Sequence, residues 1–410
     1  MMIRFFIILL ILVAVDLYFF QAVKTVSSGL SSERRNLVNY IYWTLCALLY
    51  AMLLIAAIVG QHNIPKLFRT YIFSFFIIME LSKIVGIIFL LFDDVYRFIR
   101  YATESITKKD SNRDLSRLKF LSIVALGISA IPFISLVRGM FTGAYNYQVK
   151  KIKLRLKNLP EEFEGLKIVQ ISDIHTGSFL DTKHLNEAFD LILEQKPDII
   201  FFTGDLVNDV ASETIGFEDL YKKLNAPLGV FSTLGNHDYG DYTTWETAEA
   251  KRANLEQLKS VHHQAGWKLL MNENHLIERN GKQLAIIGIE NWGANLRFPK
   301  YGKLDQAIIG TENAAVKLLL SHDPSHWEGE VIPKYSHIDV MFAGHTHGMQ
   351  FGIEIPGFKW SPAQYIYKQW AGHYENGNQQ LYVNRGLGFI GYPGRVGILP
   401  EITTFELTHT

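Results

Sequence analysis

A multi-pass helical membrane segment followed by a mixed α/β domain is the fold class predicted by this 410-residue sequence. Three observations carry the prediction. Nearly all the long apolar runs fall before about residue 140. Beyond that point, short runs rich in Val, Ile and Phe alternate with helical segments. The length also suits two domains better than one. The predicted organisation is a transmembrane domain over 1–140, a linker and lead-in strand over 141–165, and the α/β domain over 166–410.

Four stretches, 3–20, 41–60, 71–92 and 120–137, approach the roughly 20 apolar residues that a bilayer-crossing helix needs. The runs 3–15 and 45–59 have no polar face, as a soluble helix would. No small-x-small cleavage site follows the first run, where Phe19, Phe20 and Gln21 stand, so it reads as a retained span and not as a signal peptide. Asp16, Glu80 and Lys83 lie inside the spans. Ionised groups are costly there and often functional, but the spacing of Glu80 and Lys83 predicts simple pairing on one helix face.

Orientation follows from Lys and Arg near the span ends. Lys24, Arg34 and Arg35 share a side with Arg97, Arg100, Lys108, Lys109, Arg113 and Arg117. Arg4, Lys66, Arg69, Arg138, Lys150, Lys151, Lys153 and Arg155 lie on the other, with the α/β domain. The two sides nearly balance, and the longer basic loop tips the expectation toward an α/β domain outside the cytoplasm, in a multi-pass protein of the cell membrane. Acidic and basic residues are equal in number, 40 each, so no global charge points to nucleic acid, and none is expected as a partner. Cys46 is the single cysteine, which excludes an intramolecular disulfide and a thiolate metal site.

In the second domain, strands are predicted at 166–172, 198–203, 229–234, 316–321 and 338–343, helices at 183–196 and 246–265, and a hairpin at Asn280-Gly281. The informative feature is what stands after each strand, where open α/β sheets place their ligand sites. Asp173 and His175 follow the first, Gly204-Asp205 the second and Gly235-Asn236-His237-Asp238 the third; His322 and then Gly344-His345-Thr346-His347 follow the last two. Singly, each block reads as turn or cap chemistry. Together and in order they supply carboxylate, amide and imidazole donors suited to Mn, Fe or Zn. Two such ions roughly 3.5–4 Å apart clamp the attacking and leaving oxygens of an in-line displacement at phosphorus and acidify a bound water, so no Ser or Cys nucleophile is required.

This order of blocks resembles the calcineurin-like metallophosphoesterase family, from about residue 166 to the C-terminus. The tail from Asn384-Arg385-Gly386-Leu387-Gly388 through Pro400-Glu401-Ile402 resembles its membrane-associated, bacterial-type branch. The resemblance implies a two-sheet β-sandwich flanked by helices and two divalent ions. Asp173, His175, Asp205 and His347 would hold the first ion; Asp205, as bridge, with Asn236, His322 and His345 would hold the second. It further implies that His237 sits beside the scissile phosphate as the catalytic imidazole and that Asp238 orients it. Similar members hydrolyse a sugar-nucleotide lipid precursor at its diphosphate, so a phosphorylated small molecule or lipid is the expected substrate. Met349 departs from the second glycine of the Gly-His-Thr-His-Gly-Gly-Gln found in many relatives and bears on the pocket rim.

The predicted function is therefore hydrolysis of phosphoester or diphosphate bonds by a membrane-anchored dinuclear centre. A membrane sensor or scaffold with a non-catalytic domain is one rival; the complete ligand set and His237 argue against it. A transporter or channel, suggested by Asp16, Glu80 and Lys83, is the other; four spans without a repeat argue against it. No feature specifies an oligomeric state. His184, His262, His263, His275, His326, His337, His373 and His409 read as surface or turn histidines, Asp209 and Asp323 as turn caps, and Arg385 as half of a structural ion pair. The stretch with Trp360, Tyr365, Tyr367 and Trp370 reads as core in preference to a pocket rim or membrane interface.

Overall fold

The computed structural model describes residues 2–60, 64–107, 115–294 and 300–410. Lys108, Lys109 and Arg113, used above for orientation, lie outside them. The chain divides into two compact units, Met1–Gly139 and Met140–Thr410.

The first unit is built from α1 (Met2–Ser27), α2 (Ser32–Val59), α3 (Lys66–Thr107) and α4 (Leu115–Phe141), the last ending just inside the second unit. Each contains a stretch long and apolar enough to cross a bilayer. Large apolar side chains such as Leu10, Ile58 and Phe92 point outward, which suits a surface solvated by lipid. The polar groups turn inward. Asp16, fully buried on α1, accepts the hydroxyls of Tyr42 and Tyr50 from α2 and the ammonium of Lys83 from α3. Lys83 also donates to Glu80 Oε1 at 2.7 Å, the pairing expected from their spacing. Cys46 is buried beside this cluster, its Sγ 3.7 Å from Lys83 Nζ.

The second unit contains, in chain order, β1 (Gln148–Leu156), β2 (Lys167–Ile171), α5 (Lys183–Glu194), β3 (Ile199–Phe202), α6 (Glu218–Lys223), β4 (Val230–Ser232), α7 (Ala248–Gln264), β5 (Lys268–Leu269), β6 (Glu273–Arg279), β7 (Lys282–Gly288), β8 (Val316–Leu320), β9 (Val340–Ala343), β10 (Ile353–Ile355), β11 (Phe358–Trp360), β12 (Gly372–Asn376), β13 (Gln379–Val383) and β14 (Glu401–His409). One six-stranded sheet has the order β1-β14-β2-β3-β4-β5, the other β12-β13-β9-β8-β7-β6, and β10-β11 is a separate ribbon. Residues 141–165, expected to form a linker and lead-in strand, fall inside this unit. β1 pairs in parallel with β14 along its whole length, because Leu154 and Leu156 find an apolar interior there beside Leu407.

Strand alternation explains the layers. Ile168, Phe201 and Phe231 of the first sheet meet Ile286, Leu318 and Phe342 of the second in the sandwich interior. Their neighbours Val169, Ile200 and Phe202 face the other way, under Leu185, Phe189 and Ile192 of α5 and Leu258 of α7. Burial on both faces is why β3 reads as an unbroken apolar run. The hairpin at Asn280-Gly281 is present, with both residues in the left-handed region.

Two histidines depart from the surface reading. His262 and His326 are fully buried, because each finds a serine at the end of a buried strand: Ser232 Oγ lies 3.0 Å from His262 Nδ1, and Ser321 Oγ 3.0 Å from His326 Nδ1.

Candidate metal centre

The loops after β2, β3, β4, β8 and β9 converge, and the side chains they carry fall into two groups of possible metal donors. Asp173, His175 and His347 form one; Asp205, His322 and His345 form the other. His175 Nε2 and His347 Nε2 are 3.0 Å apart, and Asp173 Oδ1 lies 3.3 Å from His347 Nε2. In the second group, His322 Nε2 lies 3.1 Å from Asp205 Oδ2 and 3.3 Å from His345 Nδ1. The same Asp205 oxygen approaches His175 at 3.6 Å, so its carboxylate stands between the groups.

The backbone is bent to make this possible. Asp173, His175, Asp205, His345 and His347 all have φ between 49° and 73°. Left-handed conformations are unfavourable for such residues by about 1–3 kcal/mol each and persist where the surroundings dictate them, typically at functional sites. Glycines supply the close approaches: a Cβ on Gly235 would stand 2.7 Å from His322 Cε1, and one on Gly386 would stand 2.6 Å from the Asp173 Cβ.

Backbone carbonyls set the imidazole tautomers. Val207 O lies 3.2 Å from His175 Nδ1, and Thr203 O lies 2.7 Å from His322 Nδ1. A carbonyl only accepts, so each Nδ1 carries the proton and each Nε2 is left as a ligand atom. His345 is held from its other side, Nε2 meeting the Tyr367 hydroxyl at 2.7 Å. Burial drops His175 to about 3 and His347 well below the usual imidazole range, so both rings are neutral. His322 differs: against the effect of burial, Asp205 lifts it to about 10. Although burial opposes its charge, Asp205 is in turn held well below the usual carboxylate range by His322.

Asn236 tests whether this set fits metal ions. Its Nδ2 donates to the Tyr242 hydroxyl at 2.8 Å, and its buried Oδ1 has no hydrogen-bond partner. A buried amide oxygen without a donor is costly, and a cation beside Asp205 resolves it. Hard oxygen and imidazole donors suit borderline divalent ions.

His237 lies beside both groups in the wall of a cavity of about 350 Å³, which His175, Asp205, Asn236, Tyr242, His345 and Ile390 also line. Its Nδ1 is 2.6 Å from the carbonyl oxygen of Asn208, and its backbone N–H donates to Asp205 Oδ1 at 2.9 Å.

Asp238, expected to orient His237, bonds elsewhere. Among the described residues no hydrogen bond joins the two, because the Asp238 carboxylate is already committed to four backbone N–H groups: Gly235 at 2.8 Å, Asp205 at 2.9 Å, Leu206 at 2.8 Å and Val207 at 3.3 Å. It ties the loop after β4 to the loop after β3.

The aromatic stretch read as core divides. Trp370 is buried, Tyr365 is exposed, and Tyr367 reaches His345. Arg385 pairs with Glu401 and Glu354. Asp323 Oδ1 caps a turn at Ser325 N, 2.8 Å away, while its Oδ2 lies 3.7 Å from His345 Nε2.

Tyr242 and Arg395 escaped the sequence reading. Arg395 is buried and donates to the carbonyls of Arg385 at 2.7 Å and Gly388 at 2.6 Å, with Nη2 3.1 Å from His347 Nδ1. Its place in the glycine-rich tail was the available signal.

Comparison with known proteins agrees with this geometry. Residues 2–144 match the family described as "Probable Calcineurin-like phosphoesterase, transmembrane domain", and residues 166–349 match "Calcineurin-like phosphoesterase". The uncharacterized metallophosphoesterase YkuE of Bacillus subtilis is 30% identical over 62% of this chain and 82% of its own length. Phosphodiesterase YaeI of Escherichia coli is 27% identical over 72% of this chain and 99% of its own. UDP-2,3-diacylglucosamine pyrophosphatase LpxG of Chlamydia trachomatis is 27% identical over 65% of this chain and 93% of its own. The ligand blocks, the two-sheet unit that positions them and these matches converge: the chain belongs to the calcineurin-like metallophosphoesterases and carries, ahead of the catalytic unit, the family's four-helix transmembrane domain.

Proposed function

We propose that this protein hydrolyses a phosphoester or diphosphate bond in a lipid-linked substrate, using two divalent ions. The observation that carries the reading is the pair of donor groups sharing the Asp205 carboxylate, with His237 in the wall of the same cavity. Asp173, His175, Asp205 and His347 would hold one ion; Asp205, Asn236, His322 and His345 would hold the other. Such a pair supplies Lewis-acid polarisation of the phosphoryl oxygens and an acidified water at neutral pH.

The remaining work falls to the chain. The Asn208 carbonyl fixes the His237 proton on Nδ1, which makes Nε2 the atom that accepts or delivers a proton at the leaving oxygen. Asp238 keeps the two ligand loops in register. Tyr242 aims the Asn236 oxygen. The lipid-linked substrate class is supported by the four apolar helices and by the diacylated sugar nucleotide in the name of the Chlamydia trachomatis relative.

The test uses the full chain in lipid nanodiscs with manganese, offered a soluble chromogenic phosphodiester and a lipid-linked diphosphate, beside Asp205→Ala and His237→Ala. The expected result is turnover of both by the wild type, none by Asp205→Ala, and a large loss in His237→Ala with metal still bound. Binding of two ions without hydrolysis of any phosphate offered would replace this reading with that of a metal-binding scaffold.

A further inference from the structure

The ribbon formed by β10 and β11 begins a few residues after the ligand His347 and has its polarity reversed. Its register pairs Ile353 with Trp360, Glu354 with Lys359, and Ile355 with Phe358. Directly paired residues share a face, so Ile353, Ile355, Phe358 and Trp360 form one side and Glu354 and Lys359 the other. The charged side is the one bound to the domain. Glu354 Oε1 accepts from Arg385 Nη2 at 2.8 Å and from Lys150 Nζ at 3.0 Å, and Lys359 Nζ donates to the Ala371 carbonyl at 2.5 Å. The apolar side is left outward: Ile353 is 49% exposed, Ile355 58% and Phe358 51%. Tyr365 (75%) adds to it, its hydroxyl meeting Trp360 Nε1 at 3.3 Å.

A ribbon whose charged heads are paired with the domain, at Arg385, Lys150 and the Ala371 carbonyl, and whose apolar face is exposed and unpaired matches a surface that is itself apolar. We infer that this face lies in the bilayer surface, with Phe358 and Ile355 among the acyl chains and the Trp360–Tyr365 pair at headgroup depth, where amphipathic rings are favoured.

Two observations select lipid over a protein partner. The chain crosses the bilayer through four apolar helices, so a lipid surface is always within reach. The segment after the last of them is built into the same region of the catalytic unit. Ala144 is buried, Tyr145 packs its ring 6.0 Å from that of Phe389, next to the cavity-lining Ile390, and Lys150 in the following strand holds the ribbon's Glu354. The ribbon is thus an interfacial anchor that presents the metal centre to phosphates at headgroup level. This deepens the lipid-linked reading of the same site and rests on it for its catalytic consequence.

The experiment places an environment-sensitive fluorophore at Phe358→Cys, with Glu312→Cys as an exposed control, in the full chain in nanodiscs whose acyl chains are brominated. Labelling of the otherwise unchanged chain measures any background from the buried Cys46. Quenching by the brominated chains at position 358 and not at 312 is expected. No acyl quenching at 358 overturns the inference, whether the label stays open to aqueous iodide or is shielded by a second copy of the chain. In parallel, Ile355→Asp with Phe358→Asp should lower kcat/KM on a vesicle-embedded lipid diphosphate by about tenfold or more, since insertion scales with buried apolar area, while the soluble diester is hydrolysed at the wild-type rate. Loss on both substrates would mean a misfolded site and overturn the catalytic consequence. The two readings separate cleanly: quenching without lipid hydrolysis sustains the anchor and retires the lipid-substrate reading, and lipid hydrolysis without quenching does the reverse.

Discussion

His322 Nε2 stands 3.1 Å from Asp205 Oδ2, and this contact opposes the neutralising effect of burial on the ring. Burial alone would neutralise the ring; Asp205 overcomes it and raises the pKa to about 10. A histidine raised above its unfolded value of about 6.5 contributes stability that is full below that value and is lost as pH rises through its folded pKa. Chelated protein should therefore lose stability progressively between about pH 6.5 and 10, read by thermal unfolding across that range. A cation binding at Asp205 must displace the His322 proton. Calorimetric titration with manganese near pH 7.5, in buffers of different ionisation heat, should report release of about one proton. Buffer-independent heats would show that His322 is already neutral.

Asp238 gives the second prediction. Asp238→Ala strands four buried N–H groups at Gly235, Asp205, Leu206 and Val207. Each unsatisfied buried donor costs about 1–3 kcal/mol, not fully additively, so a loss of at least about 3 kcal/mol is expected in denaturant unfolding of the catalytic unit. Metal affinity should fall with it. The milder Asp238→Asn keeps one acceptor oxygen and should leave the pH profile of the remaining activity unchanged, because Asp238 does not touch the His237 ring. A displaced profile would restore the orienting role.

The bonding of Asp238 marks where the sequence stops being legible. Single blocks such as Gly-Asn-His-Asp read as turn chemistry, and it is their joint occurrence after buried strands that points to a site; Asp173, His175, His347, Asp205, His322 and His345 fall into the two donor groups, and Asn236 lines the same cavity. What a carboxylate does next depends on which amides the fold brings to it, and nothing in the string Asn236-His237-Asp238 shows the turn that aims Asp238 at the Asp205 loop. Within 141–165, read as a linker and lead-in strand, the basic Lys150 and Lys153 hide the bounds of the strand, and only the alternate Leu154 and Leu156 mark its inward face. Arg395 was passed over because a buried arginine that donates mainly to carbonyls has no charged partner to betray it in sequence.

Tyr367 reaches the centre at His345. Its hydroxyl lies 2.7 Å from His345 Nε2, fixing a ring whose Nδ1 faces His322. Groups that hold a metal-binding imidazole typically change affinity by about 10–100-fold when removed. Tyr367→Phe should weaken one of the two bound ions by roughly that factor, at the low end because the phenyl ring still packs, and leave the other unchanged. Stoichiometric metal titration distinguishes this from equal weakening of both ions, which would point to a packing defect.

The inward cluster of the membrane unit supplies the last prediction. Lys83 is a cation held between two buried carboxylates, bound to Asp16 and to Glu80. Removing one partner of a buried ion pair costs about 3–5 kcal/mol because charge is left unsolvated, and lipid offers no water to relieve it. Lys83→Met should therefore lower the unfolding midpoint of the full chain in detergent, and adding Asp16→Asn and Glu80→Gln should restore most of it, since the neutral trio keeps its shape without a charge to bury. The triple variant also separates a staple from a conduit. A staple predicts wild-type hydrolysis of both soluble and lipid-linked phosphates once stability is recovered. A role in handling substrate predicts that lipid hydrolysis stays lost while the soluble diester is still cleaved, because only a molecule travelling through the bilayer would meet Asp16, Glu80 and Lys83 on its way.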